Sequence, residues 1–320
     1  MTGPWRWWVA SWDRREPADV QALVRIGVAA VLLADLWVTW RLGLVVPLMG
    51  HGSVGELSGA SPGGVAWFAW VGTDARAAWL LFGGLVAAEL CLLVGAFTRT
   101  AALVTMLLSA QWMQILPDGD RGIDTLLRNV LLVLAFSSAG RRWSVDALLR
   151  GEGFAGRGEP LPAWPRYLLV LQIVVMYFTA GVQKYGQHWW PWGGWSALYV
   201  VLRDWSVSAW PFPWLDQPVP WFLTRVGTLV TLVFQDTYPL VLLHYFPPLG
   251  EPGRIRRVFE RYRLHWAWIA TGMVFHLLLA ATMELGIFPW GMMALYWVFL
   301  HPDELRALTS RARTPRTSTG

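Results

Sequence analysis

Long apolar runs separated by short arginine-bearing loops organise this chain. A membrane-spanning helix needs about 20 mainly apolar residues. Eight stretches reach or approach that length: 20–46, 75–97, 100–116, 123–138, 167–184, 221–246, 264–283 and 287–300. The last is short enough to be a half-buried return. The pattern predicts an all-α fold, a polytopic transmembrane helical bundle of about eight spans forming one domain over 19–304. An interfacial segment over 1–18 is expected before it and a basic disordered tail over 305–320 after it.

Loop charge orients the spans, because cytoplasmic connections carry an excess of Arg and Lys. Arg6, Arg14 and Arg15 precede the first span, Arg99 separates the second from the third, and Arg141, Arg142, Arg150, Arg157 and Arg166 follow the fourth. Arg254, Arg256, Arg257, Arg261 and Arg263 follow the sixth, and Arg306, Arg311, Arg313 and Arg316 lie in the tail. The loops 43–73, 117–121 and 185–220 are nearly bare of net positive charge. The alternation predicts that both termini are cytoplasmic and that Lys184 sits at the outer end of the fifth span.

Composition agrees with a multi-pass protein of the cell inner (plasma) membrane. Hydrophobic residues make up 55% and charged residues 15%, with a mean hydropathy of +0.40, too apolar for a soluble domain of this length. The pI of 9.7 reflects arginine blocks facing anionic lipid headgroups, so membrane lipids rather than nucleic acid are the expected partners. The lone Cys91 excludes an intramolecular disulfide and a thiolate metal cluster. Trp5, Trp7, Trp8 and Trp12 stand in a segment without the apolar core and small-residue site of a signal peptide, so an uncleaved first span is expected. The 185–220 loop carries Trp189, Trp190, Trp192, Trp195, Trp205, Trp210 and Trp214. Such aromatic density belongs at the headgroup boundary, with a short surface helix over 195–205.

Candidate chemistry starts from the basic residues. Of 26 Lys+Arg positions only Lys184 is a lysine. Arg stays protonated in any protein setting, whereas a desolvated Lys can lose its charge and act as an amine base. The alternative is a lysine snorkelling at the membrane boundary. Tyr177, Ala180, Gly181 and Lys184 share one helix face, which leaves room for a flat ligand beside the amine or, alternatively, for close helix packing. Thr224, Thr228, Thr231, Gln235 and Tyr238 form a polar stripe ending near Asp236 and Pro239, a pattern shared by helix–helix contacts and wet cavities. Ionisable residues at membrane depth each cost about 2 to 4 kcal/mol and need a partner or a use. They are Arg25, Asp35, Glu89, Asp124, Arg128, Lys184, Arg225, Asp236, His276 and Glu284. No HExxH, CxxC or dense His/carboxylate cluster occurs, so no metal is expected; phosphate loops and a GxSxG elbow are absent too.

Four ordered segments, LVRIGVAAVLLAD (23–35), RRWSVDALL (141–149), YFTAGVQKYGQHW (177–189) and FHLLLAATMELGIFPWGMMA (275–294), resemble the horizontally transferred transmembrane (HTTM) family, related to vitamin K-dependent gamma-carboxylase. The resemblance implies that Lys184 is the base that deprotonates a reduced quinone, vitamin K or menaquinol-like. His276 matches the His of the fourth segment and joins Lys184 as a catalytic candidate in a supporting or structural role; Tyr177 and Gly181, from the shared helix face, and Gln235 and Asp236, from the polar stripe, are the candidate quinone- or substrate-binding residues. In the carboxylase, oxygen addition then yields a strong base that removes a glutamate gamma-proton, and the carbanion takes up carbon dioxide. Two departures stand out: Arg121, Gly122 and Ile123 occupy the neighbourhood of the carboxylase's Asn-His pair, and no counterpart of its propeptide-binding region is expected after the fourth segment. The leading reading is therefore a quinol-dependent membrane enzyme acting on a secreted peptide at the outer side. The alternative is a non-catalytic membrane accessory protein in secreted peptide maturation. A transporter is disfavoured by the lack of paired broken helices and inverted repeats.

Overall fold

The computed structural model describes residues 3–55, 57, 64–248 and 250–305; the tail expected over 305–320 lies, beyond Leu305, outside the described residues. In chain order the helices are α1 (Pro4–Trp12), α2 (Asp19–Arg41), α3 (Val45–Met49), α4 (Ala66–Val71), α5 (Ala75–Val94), α6 (Thr98–Ile115), α7 (Gly122–Ala135) and α8 (Val145–Leu149). They continue with α9 (Trp164–Val182), α10 (Ala197–Arg203), α11 (Pro218–Asp236), α12 (Leu242–Tyr245), α13 (Arg254–Arg261), α14 (His265–Thr282) and α15 (Phe288–Leu295). Two-residue strands, β1 (Arg15–Glu16) and β2 (Leu161–Pro162), pair antiparallel. The all-α class expected from the apolar periodicity is what forms.

Among the described residues four helices, α2, α5, α9 and α14, are long and apolar enough to cross a membrane. A fifth crossing arises if α11 and the Tyr238–Tyr245 segment count as one span bent by 50°. The three other expected stretches also become helices, but less suited to crossing alone. Helix α6 has the length, yet Arg99, Gln111 and Gln114 dilute its apolarity. Helix α7 has 14 residues, which at 1.5 Å per residue rise only about 21 Å against a hydrocarbon core of about 30 Å. Helix α15 has eight and passes into a 3-10 turn at Tyr296–Phe299.

Two compact units divide the chain. One comprises Arg15–Arg166 and the described residues from Trp297 on. In it α5 packs on α2 and α6, and α6 on α7, around Leu36, Met49, Phe68, Leu81, Leu85 and Ile115. Arg25, fully buried on α2, donates to the carbonyls of Ala139 (2.9 Å) and Trp143 (2.6 Å), so loop backbone solvates the guanidinium. Arg166 forms a buried two-pronged pair with Glu16 at 2.6 and 2.7 Å and donates to Val298 O at 3.0 Å. In the RRWSVDALL segment, Ser144 Oγ caps α8 by accepting from Ala147 N at 3.0 Å. Asp146 accepts from Phe97 N and Thr98 N at 2.8 and 2.9 Å, capping α6 from a distance in sequence.

The other unit comprises Met1–Arg14 and Tyr167–Tyr296. Here α11 contacts α10 and α14, and α14 contacts α15. Helix α10 forms inside the segment where the sequence predicts a short helix. The α11 threonine stripe is spent on backbone: Thr224, Thr228 and Thr231 donate to carbonyls one turn back, and Thr228 Oγ1 accepts from Leu198 N at the start of α10 (3.0 Å). That is the packing alternative for these positions. Arg14 Nη1 donates to Tyr167 OH and to Tyr245 O, both at 3.0 Å, joining the chain's start to the base of α9.

Candidate functional site

All six sequence-nominated residues fall in the second unit, where α9, α11 and α14 meet. Two adjoining constellations hold them. The first is aromatic and closed. Tyr177 on α9, 2% exposed, shares a hydrogen bond with His276 Nε2 on α14 across 2.5 Å and another with Tyr296 OH across 2.9 Å. Tyr238 OH reaches Tyr296 OH at 3.4 Å, and the Tyr177 and Tyr238 rings stack at 4.4 Å. Phe234 packs edge-on against both rings, and Phe275 and Phe288 flank the imidazole. His276 Nδ1 is buried with no hydrogen-bond partner among the described residues. Gly272, one turn before His276, is required by closeness: a Cβ there would overlap the Tyr296 hydroxyl. The arrangement can hold a proton between phenol and imidazole inside an aromatic shell.

The second constellation lies at the C-terminal ends of α9 and α11. A Cβ on Gly181 would overlap Asp236 Oδ1 and come within 3.1 Å of Asp236 N and Gln235 Cβ, so glycine sets how closely the two helices approach. The space that the sequence left beside Gly181 for a flat ligand is thus taken up, at that position, by α11. Gln235 is buried, and its Oε1 has no hydrogen-bond partner.

Helix α9 ends at Val182, two residues before Lys184, so the amine stands just past the helix rather than within it. Lys184 Nζ folds back to donate to Ala180 O at 2.8 Å and lies 4.7 Å from the centre of the Trp189 ring. The Trp190 indole donates to Lys184 O at 3.1 Å, and Trp190 stacks on Trp192 at 5.5 Å. Half-burial pulls the Lys184 pKa down while Asp236 pulls it up, and burial wins. The amine therefore deprotonates more readily than an exposed lysine. Tyr177 and Lys184 share a face, but seven residues of helix put about 10 Å between their positions, and each bonds different partners.

Four further ionisable candidates have structural employment. Arg225 Nε donates to Gly194 O at 2.6 Å, with its guanidinium 4.6 Å above Trp221. Asp35 and Asp124 both bind Arg121, and Arg128 binds Asp120. Sequence reasoning did not bring Tyr296 into the cluster. The available signal was a phenol inside the apolar 287–300 stretch, where its hydroxyl needs a buried partner.

The HTTM domain family model matches residues 22–246. The matched region contains Tyr177, Gly181, Lys184, Gln235 and Asp236, while His276 and Tyr296 lie after it. No solved structure matches the chain.

Proposed function

With most of its length matched, the chain belongs to the HTTM domain family, whose members are membrane proteins linked to vitamin K-dependent carboxylases, and from that premise we propose that it is a quinol-dependent membrane enzyme with Lys184 as its base. In this reading eight segments cross the inner (plasma) membrane, both termini are cytoplasmic, and Lys184 works at the outer side on a secreted peptide. The arginine bias of the loops supports that orientation. The observation that carries the reading is the state of the sole lysine: half-buried between Trp189 and the ends of α9 and α11, with burial favouring the free amine.

The donor set fits a reduced quinone of the vitamin K or menaquinol type. Gln235 Oε1, buried and, among the described residues, without a partner, is an acceptor suited to a phenolic hydroxyl; Lys184 is the base, with Asp236 beside it, while Tyr177 stands one constellation away and Gly181 serves the close approach of α9 and α11. When bound, the quinol supplies an acidic hydroxyl and, with oxygen, the reducing power of the family's chemistry. Lys184 takes a proton onto Nζ, and Asp236 and the face of Trp189 stabilise the resulting ammonium. His276 acts through Tyr177, fixing its hydroxyl by their hydrogen bond.

Oxidation of a reduced naphthoquinone, with and without carbon dioxide, by the purified protein and by Lys184→Arg tests this. Arg keeps the charge and removes the basicity. The expected result is a rate loss of about 100-fold or more, the scale of a missing general base. Equal rates in the two proteins overturn it.

One observation favours the accessory-protein reading. Lys184 Nζ closes the C-terminal turn of its own helix through Ala180 O, which is what a structural lysine does. On that reading Lys184→Arg leaves peptide maturation intact, while disruption of the Trp-rich loop does not.

A further inference from the structure

In the first unit, α2, α5, α6 and α7 enclose a cavity of about 30 Å³ lined by Asp35, Glu89, Ser109, Trp112, Asp124 and Arg128 among leucines. Glu89 is 2% exposed, and its Oε2 is buried with no hydrogen-bond partner. Two buried donors on the lining are equally unpartnered: Trp112 Nε1 on α6 and Arg128 Nη1 on α7. A carboxyl oxygen and two N–H donors thus border a space of about a single water's volume. A buried polar atom left in that state costs about 1–3 kcal/mol, and one water, with two lone pairs and two O–H bonds, removes the cost at two of them.

The charges around the cavity decide how Glu89 is held. Arg121 binds Asp35 at 2.8 Å and Asp124 at 2.8 Å, and Arg128 binds Asp120 at 2.7 Å. Three carboxylates against two guanidinium groups leave one net negative charge. A charged Glu89 would add a second negative charge away from water, with no cation bonded to its Oε2. Its neutral acid form avoids this and supplies an O–H. Asp35, whose side chain is 18% exposed against 10% for Asp124, is the carboxylate on this lining that meets the outside most.

We propose that this cavity is a proton-transfer site in which Glu89 holds the proton, one water that accepts hydrogen bonds from the Glu89 O–H and Trp112 Nε1, beside Arg128, carries it, and Asp35 receives it. The water accepts the Glu89 proton as that O–H bond breaks and gives one of its own protons to the Asp35 carboxylate. The products are an ionised Glu89, a neutral Asp35 and a regenerated water, with no oxidant or reductant involved. The site uses none of the residues around Lys184.

Infrared spectroscopy of the purified full chain at neutral pH, in light and then in heavy water, reads the site directly. The expected spectrum has a carboxylic-acid carbonyl band that Glu89→Gln abolishes, that [13C]glutamate labelling of the wild type displaces, and that moves down in heavy water as the proton exchanges. Trp112→Phe removes a water-holding donor and is expected to slow that exchange severalfold. Absence of an acid band, or a band that ignores glutamate labelling, overturns the protonated Glu89. A band that does not move in heavy water overturns the water, and so does exchange in Trp112→Phe as fast as in wild type. The labelling arm needs no variant, so the test survives if Glu89→Gln fails to fold.

Discussion

Replacing Tyr177 by Phe removes one oxygen from the middle of the α9–α14 contact. That oxygen makes two buried hydrogen bonds, to His276 Nε2 at 2.5 Å and to Tyr296 OH at 2.9 Å. Each is worth about 1 kcal/mol net. Because His276 Nδ1 is already without a partner, the variant leaves the whole fully buried imidazole unsatisfied, adding about 1–3 kcal/mol. Membrane proteins return less than these aqueous figures, about 0.6 kcal/mol for an average interhelical bond, and two such bonds with the low end of the penalty give an expected loss of about 2 kcal/mol. Ring packing against Phe234 and Tyr238 is kept, which isolates the hydroxyl. Equilibrium unfolding in mixed detergent micelles, with a double-mutant cycle using His276→Phe, measures the loss and the coupling. If Tyr177→Phe costs under about 0.5 kcal/mol, or if the two substitutions simply add, the hydrogen bond is not what joins α9 to α14.

Gly181→Ala drives a methyl into Asp236; a loss of about 1–3 kcal/mol, the usual overpacking range, is expected in thermal unfolding, and an unchanged midpoint contradicts the close approach of α9 and α11. Because the chain has one lysine, side-chain 15N-lysine NMR reports Lys184 alone: its titration should fall below the ordinary 10.5, and Asp236→Asn should lower it further by removing the charge that raises it. Asp146 is held below the usual carboxylate range, burial being outweighed by N–H donation from Thr98 and Phe97 and by Arg150. A carboxylate with a lowered folded pKa contributes stability above its unfolded value of about 3.9 and loses it as pH falls through the folded one. Asp146→Asn should therefore reduce stability at neutral pH and converge with wild type in acid; a constant gap across pH contradicts this.

The all-α class and the positions of the helices were legible because each rests on local pattern: apolar length and i, i+3, i+4 spacing. The solitary Lys184 pointed to the α9–α11 junction, and its neighbours Gly181 and Asp236 do meet there. Partnerships across long separations were not legible. Tyr177 and Tyr296 stand 119 residues apart, and Glu16 and Arg166 stand 150 apart; no spacing rule ties one to the other. The ionisable residues were read as site candidates one by one, whereas in the structure Arg25 is solvated by carbonyls and Arg121 joins Asp35 to Asp124. The 221–246 stretch reads as one span because it is apolar on average, yet the helix stops at Asp236 and bends before Pro239.

Helices α9 and α11 both finish within two residues of the Gly181–Asp236 contact. Their peptide dipoles therefore aim two partial negative ends at one spot, and the Asp236 carboxylate adds to them. Two helix ends and a carboxylate of the same sign call for a positive charge close by, and Lys184, the one lysine of the chain, stands there with its ammonium hydrogens turned onto Ala180 O in the last turn of α9.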